Sequence, residues 1–463
     1  MIFIAIVFIL LLGLSIIFRL SLKLSSFEIL GFSFLIGIGM ITIIMFILDI
    51  IGITFSGLIL FLITVVIILI LNFPFKTHLQ FFINAFTVKQ IQFSKTNLVR
   101  IFFLIAVIFL VYASVSKSLY WPTFAYDNVA GYDLMAKVMA KEGRINNSLF
   151  EINHEPISGS ARRLIYPPLV AGSFSIAYLC DLDSSKIITS LFLISFIIAL
   201  YGILQKFGNK TAAAVCTFFT FITPEFFAFT SLSTTNIPTA IYASLSMLSL
   251  AIWFKERDEG YFYLASIMTA LTIWARSDAI VFLGAGFMIL FYDGYKNKSW
   301  RHLIIFTVLS LLSFTAWSTY LKVNINIDQN VFFLYPFWDG DKFVQLSEWV
   351  YKILFNMNNY GITFYCLLVV VVINIKNLKS DKNTILLLLL VISWIMYTFL
   401  FYQMDNTKTD SLDKMMTASY RRGLFSFIPI VWAYVAFNER ILELFNRLEK
   451  DLNVSIRSVS KKS

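Results

Sequence analysis

The sequence predicts an all-α polytopic membrane protein, a helical bundle of about 11 full spans with a few half-helices. Three observations predict it. The chain has 463 residues, of which 59% are hydrophobic and 14% charged, and its mean hydropathy of +0.79 lies outside the range of soluble domains. Apolar runs recur at the length a bilayer demands, about 20 residues with a range of roughly 17 to 25. The basic residues behind the net charge of +10 sit in short connections between those runs, which is the pattern of cytoplasmic membrane loops rather than of a nucleic-acid surface.

The first run, residues 1–18, reads MIFIAIVFILLLGLSIIF. It has neither a basic flank nor a small-residue cleavage site, so it is expected to stay as a helix. Full spans follow at 29–48, 54–73, 98–115, 187–204, 212–229, 238–254, 302–320, 361–376, 384–402 and 423–437. Runs 166–180, 262–275 and 279–293 are short for a crossing and read as half-helices. Lys and Arg collect at 76–100, 206–210, 255–257, 296–301, 376–382 and from Arg440 onward. Alternating crossings put all of these inside if 166–180 does not cross and 262–293 is a hairpin, with the N-terminus outside and the C-terminus cytoplasmic. Segments 116–165, 230–237, 276–278, 321–360 and 403–422 are then left on the outer side. Cys180, Cys216 and Cys366, each in or at the end of an apolar run, read as small core residues.

The outer segments hold the polar residues that a membrane anchor does not need. In YDNVAGYDLMAKVMAKEG, residues 126–143, Val129, Tyr132, Met135, Ala136 and Met139 share one helical face and Lys137 and Lys141 another, as in a helix lying in the membrane interface. Asp127 either caps that helix or serves as a general base at the mouth of the bundle; Asp133 reads as a solvated face residue. Arg162 and Arg163 precede LIYPPLV, whose prolines fix an extended backbone and hold the pair at headgroup level, as anchor or phosphate ligand. Arg276 lies between two apolar runs, where an arginine costs about 2.5 to 3.5 kcal/mol without a partner; Asp278 or a ligand anion is that partner. Tyr420, Arg421 and Arg422 lie just before the last span, and arginines there run against the positive-inside trend. A guanidinium binds phosphate through two charge-assisted hydrogen bonds. There is no Gly-rich phosphate loop, GxSxG or HExxH, and DLD at 181–183 reads as a helix start.

Taken together, these residues resemble the GT-C superfamily of polytopic glycosyltransferases, which includes the protein O-mannosyltransferases, aminoarabinose transferases and arabinosyltransferases. The resemblance runs from about residue 98 to 437. FAYDNVAGYDLMAKVMAKEG is similar to that family's first outer loop, with Asp127 in the place of the catalytic aspartate and Asn128 where a Glu is usual. YPPL at 166–169 is similar to its His-Pro-Pro-Leu, with Tyr166 in the His place; SLSTTNIPTA matches the segment that often has Asp before Pro, here Asn236; LTIWARSDAIVFL is similar to its Leu-Thr-Lys segment, with Arg276 for Lys; YRRGLFSFIP resembles its late Arg-aromatic-Pro motif. The resemblance implies three additional N-terminal helices in 1–97, a GT-C-like module in 98–437 and a basic cytoplasmic tail in 438–463. It implies Asp127 as the catalytic residue, Arg421, Arg422 and Arg276 as ligands of the donor phosphate, and Arg162, Arg163, Tyr166, Asn236, Asp278 and Tyr420 as substrate contacts. The implied partners are a polyprenyl-phosphate-linked sugar, a glycan, lipid or protein acceptor, and membrane lipids, with no nucleic acid. The implied place is the cell (inner) membrane, with an extracytoplasmic site. No metal is assigned, and the departures at Asn128, Tyr166 and Asn236 leave a divalent cofactor and the sugar open. The rival from a different class is a flippase or polymerase-like carrier of lipid-linked glycans; transporters of that kind often show matched halves, and no internal repeat is visible here.

Overall fold

Hydrocarbon offers no partner to a backbone N–H or C=O, so an apolar run that crosses it folds as a helix. The computed structural model describes residues 1–20, 24–73, 98–123, 127–152, 165–207, 209–326, 337–375, 384–404, 411–443 and 445–447. Among them there are helices and no strand. In order these are α1 (Ile2–Arg19), α2 (Ser26–Ile50), α3 (Gly57–Leu71), α4 (Leu98–Tyr120), a π-helical turn (Asn128–Tyr132), α5 (Asp133–Glu142), α6 (Leu169–Leu179), α7 (Lys186–Phe207), α8 (Lys210–Ile222) and α9 (Pro224–Phe229). They continue with α10 (Asn236–Glu256), α11 (Glu259–Ala275), α12 (Ile280–Asn297), α13 (Arg301–Tyr320), α14 (Gly340–Leu354), α15 (Thr363–Asn374), α16 (Thr384–Gln403) and α17 (Ile428–Phe437).

Eight helices among the described residues are long and apolar enough to cross a membrane, or nine if the bent pair Leu412–Phe437 and Glu439–Arg447 is one span. Run 279–293, expected as a half-helix, lies within one of them, Ser277–Asn297. Three of the expected full spans are shorter. α3 starts only at Ser56, whose side chain accepts from the Ile59 N–H. α8 ends at Thr223, where Pro224 begins a separate turn because proline has no N–H to continue the ladder. α15 begins after Gly361, whose φ of +55° turns the chain.

The core is not confined to the module expected from residue 98 onward. α2 packs on α1, α6, α7 and α11. Its Leu35 carbonyl accepts from the Tyr242 hydroxyl at 2.7 Å and its Thr42 hydroxyl from the Trp274 indole at 3.1 Å. α1 reaches it through Gly13 and Gly37, where a side chain on either glycine would enter the other helix's backbone; small residues at a crossing permit such approach. α4, in contrast, leaves Phe102, Ile105, Ile108, Phe109 and Tyr112 exposed, an apolar face suited to lipid.

One end of the bundle gathers described residues from each of the five segments expected on the outer side. Asp49, at the end of α2, accepts from the Ile145 N–H at 2.9 Å and from the Tyr320 hydroxyl, and the Phe55 N–H donates to the Gly143 carbonyl at 2.8 Å. These bonds fasten the loop after α4 to the N-terminal helices. Asn146 donates to the Asn324 carbonyl at 3.1 Å, and the Tyr360 hydroxyl donates to the Arg421 carbonyl. Of the expected apolar face, Tyr132, Met135, Ala136 and Met139 are buried but Val129 is 52% exposed, because the kink at Gly131 breaks the helical spacing before α5; α6 covers the face of α5, so that helix is turned to protein rather than laid on lipid.

Candidate active site

Asp127 heads the π-helical turn, yet its side chain caps nothing. It reaches instead across the bundle mouth to Arg422, whose Nη1 donates to Oδ2 at 2.8 Å. Both side chains stay partly open to solvent, at 21% and 23% exposure, so carboxylate and guanidinium are accessible together. Arg422 Nε donates to the Ala418 carbonyl, and the guanidinium lies 5.9 Å from the Phe229 ring centre.

Asn128, the next residue, is buried. With its amide oriented to fit, it donates to the Ser233 carbonyl at 2.8 Å and accepts from the Ser233 N–H at 3.2 Å, stapling the turn to the segment before α10. Tyr132 follows, buried, its hydroxyl accepting from Thr235 at 3.3 Å and its ring 6.0 Å from that of Tyr166. Burial pushes the Tyr132 phenol well above its ordinary pKa, so it stays a proton donor at neutral pH.

Arg276 joins Tyr166, Asn236 and Asp278 into one cluster. Its Nε donates to Asp278 Oδ1 at 3.0 Å and its Nη2 to Oδ2, a bidentate fork, while Nη1 donates to Asn236 Oδ1 at 3.0 Å. The guanidinium sits 5.3 Å from the Tyr166 ring centre. Asp278 is therefore the counter-charge that the cost of a membrane arginine demands. The Tyr166 ring lies between this cluster and Tyr132, in the turn that Asp127 heads, so the two ion pairs flank one pair of rings.

Arg421 pairs with a different carboxylate. Its Nε is 2.9 Å from Glu225 Oε1, an ion pair whose N–H is not aligned as a hydrogen bond, and Glu225 Oε2 is buried without a partner. Tyr420 is fully buried: its hydroxyl is engaged at 2.9 Å by both the Trp394 indole and Thr398, and its ring stacks on Tyr397 at 5.5 Å. Its hydroxyl and its ring are thus both engaged within the protein. Asp133 is corrected, since it is half-buried and accepts from the Ser185 hydroxyl instead of facing solvent. Arg162 and Arg163 lie outside the described residues. Among the described residues no group of three or more His, Cys, Asp or Glu is placed to hold a metal.

Glu225, Tyr132 and Tyr397 are the site neighbours that sequence reasoning missed. Glu225 had a signal, being the lone acid in the run FFTFITPEFFAF, which by its cost in a membrane calls for a partner. Tyr397 had none. Its hydroxyl is buried with no hydrogen-bond partner among the described residues and packed so closely on Gly423 that a Cβ there would run into it. Gly423→Ala is therefore expected to lower thermal stability by about 1 to 3 kcal/mol through overpacking and to displace the adjoining Arg422. Adding Tyr397→Phe, which removes the obstructing oxygen, is expected to restore part of the loss in thermal unfolding. Equal stability of the wild type and Gly423→Ala would show that Tyr397 swings aside.

A family model described as Dolichyl-phosphate-mannose-protein mannosyltransferase matches residues 169–321. The matched stretch includes Asn236, Arg276 and Asp278 and stops short of Asp127 on one side and Arg421 and Arg422 on the other. No curated protein and no solved structure matches the chain. The match thus covers about a third of the chain and, among the described residues, falls on helices α6 to α13.

Proposed function

We propose that the chain is an inverting glycosyltransferase that moves a sugar from a polyprenyl phosphate to a hydroxyl of a glycan, lipid or protein on the extracytoplasmic side of the cell membrane. Asp127 takes the proton of the acceptor hydroxyl as its oxygen bonds to the anomeric carbon. The bond from that carbon to the phosphate oxygen breaks, and the electron pair leaves with the polyprenyl phosphate. Charge grows on that phosphate in a partly dehydrated site, where donors fixed in advance stabilise it most.

The observation that carries this reading is the Asp127–Arg422 pair, in which a carboxylate and a guanidinium from opposite ends of the module lie 2.8 Å apart. The three arginines are not equal candidates. Arg276 has Nε, Nη1 and Nη2 all engaged by Asp278 and Asn236, so it contributes mostly field and shape. Arg422 has Nη2 left beyond its bonds to Ala418 and Asp127, and Arg421 is 35% exposed. These two are the phosphate ligands in this mechanism, with Arg276, Asp278, Asn236 and Tyr166 shaping the donor's sugar side.

Purified protein incubated with a panel of polyprenyl-phosphate sugars is expected to release free polyprenyl phosphate with at least one of them, and release with none overturns the mechanism. Sidedness has its own check. With Cys180, Cys216 and Cys366 replaced, single cysteines at Ser148 and Ser411 are expected to react with an impermeant reagent on intact cells. Labelling of only one sinks the shared outer site.

A further inference from the structure

A small cavity borders the π-helical turn at Asn128. It is about 10 Å³ and is lined by Lys117, Ser118, Asn128, Lys186 and Ser231 among others. Two features of it are unlike the rest of the bundle mouth. Arg276, Arg421 and Arg422 each face a carboxylate, whereas among the described residues neither Lys117 nor Lys186 has one within ion-pair distance. Lys186 is also only 9% exposed, so it does not do what a lysine at a helix end ordinarily does, which is to run its stem along apolar surface and put its charge in water. Its Nζ is instead turned to the Trp121 carbonyl, and Lys117 lies 5.7 Å from the centre of the Trp121 ring.

The position makes the imbalance larger. Lys186 is the first residue of α7, where the helix dipole already presents positive charge and favours an anion. Asp133, the acid whose charge acts on Lys186, is one bond removed, accepting from Ser185. Two lysines, a helix start and the Ser118 and Ser231 side chains thus surround a space whose lining, among the described residues, holds no carboxylate, Asp133 acting on Lys186 only from beyond Ser185. The volume selects among anions. At about one water-sized probe, it takes a single phosphoryl oxygen and not a sugar ring.

We propose that this cavity anchors a phosphate carried by the acceptor, so that the acceptor is a phosphate-bearing lipid or glycan whose reactive hydroxyl lies close to its own phosphate. The inference rests on the glycosyltransferase reading, because it uses the adjacency of Asn128, which lines the cavity, to Asp127; successive Cα atoms are about 3.8 Å apart. Asp127 then stands between two phosphate sites, arginines on the donor side and lysines on the acceptor side. The shared chemistry is a phosphomonoester, phosphodiester or diphosphate, and it has two sources, a lipid-linked glycan or a phospholipid headgroup.

Lysine acetylation on the full-length protein separates them. In phosphate-free dodecyl maltoside micelles, the acetylation rates of Lys117 and Lys186 are followed by mass spectrometry with inorganic pyrophosphate, with farnesyl diphosphate, and with phosphatidylglycerol added to the micelle. Protection by farnesyl diphosphate or pyrophosphate is expected if the acceptor is a lipid diphosphate, and protection by phosphatidylglycerol if it is a phospholipid. Lys117→Gln is expected to raise the concentration that half-protects Lys186 by about ten- to a hundredfold, the loss of one charge-assisted hydrogen bond, while Arg422→Gln leaves it unchanged. Equal acetylation with and without all three probes overturns the proposal, as does protection that disappears in Arg422→Gln, which places the phosphate on the arginines. Neither result depends on donor turnover, so release of polyprenyl phosphate into water tests the underlying mechanism separately.

Discussion

Asp127→Asn is expected to lower sugar transfer by about 10² to 10⁴-fold, the usual contribution of a general base, in a protein that still folds and still binds its donor. The geometry makes this swap a clean test. Asp127 caps no helix N–H, so the change costs no cap, and an amide oxygen in the same place can still accept from Arg422 Nη1. What is lost is the capacity to take a proton. Asp133→Asn is the matching control, at the start of α5, where an amide oxygen can still accept from the Ser185 hydroxyl that Asp133 holds now. It is expected to fall by less than about tenfold by the same scale. Initial rates of polyprenyl phosphate release, with donor binding and thermal unfolding measured alongside, decide the matter. A larger loss from Asp133→Asn would move the base to that residue, and full activity in both would end the mechanism.

The parts of this architecture that one stretch of sequence determines are the parts that could be read from sequence. A run of bilayer length such as 238–254 has no lower-energy choice than a helix, and α10 spans Asn236–Glu256. Arg276 announces a partner by its cost, and the partner stands two residues away. Legibility fails where the partner is remote. Nothing near Glu225 in sequence says that Arg421 will face it, and nothing in YRRG says that Tyr420 turns inward to Trp394 and Thr398 while Arg422 turns to Asp127. The apolar face of α5 was legible as a face; whether lipid or α6 covers it was not, because hydrophobic burial has no direction. The short spans mark a further limit. Hydropathy counts residues, whereas Pro224 and Gly361 set where a helix ends.

Arg422→Ala is expected to weaken donor binding by about ten- to a hundredfold, the range for one charge-assisted hydrogen bond of roughly 1.5 to 3 kcal/mol, and to leave acceptor binding nearly unchanged. It should also lower the rate at saturating donor, because the same guanidinium holds Asp127 in place. Arg422→Lys separates these two parts. A lysine keeps the charge but not the planar fork, so it cannot hold a carboxylate and a phosphate from one rigid group; donor affinity should recover more than the rate does. Arg421→Ala needs a second measurement, since Glu225 is only 10% exposed and removing the arginine leaves a nearly buried carboxylate alone, a change that destabilises by itself. Its donor affinity therefore counts only at a temperature where thermal unfolding shows the variant folded. Unchanged donor affinity in both Arg421→Ala and Arg422→Ala would remove the phosphate from this end of the bundle, and the Asp127–Arg422 pair would then be a structural clasp between the first loop and the last helix.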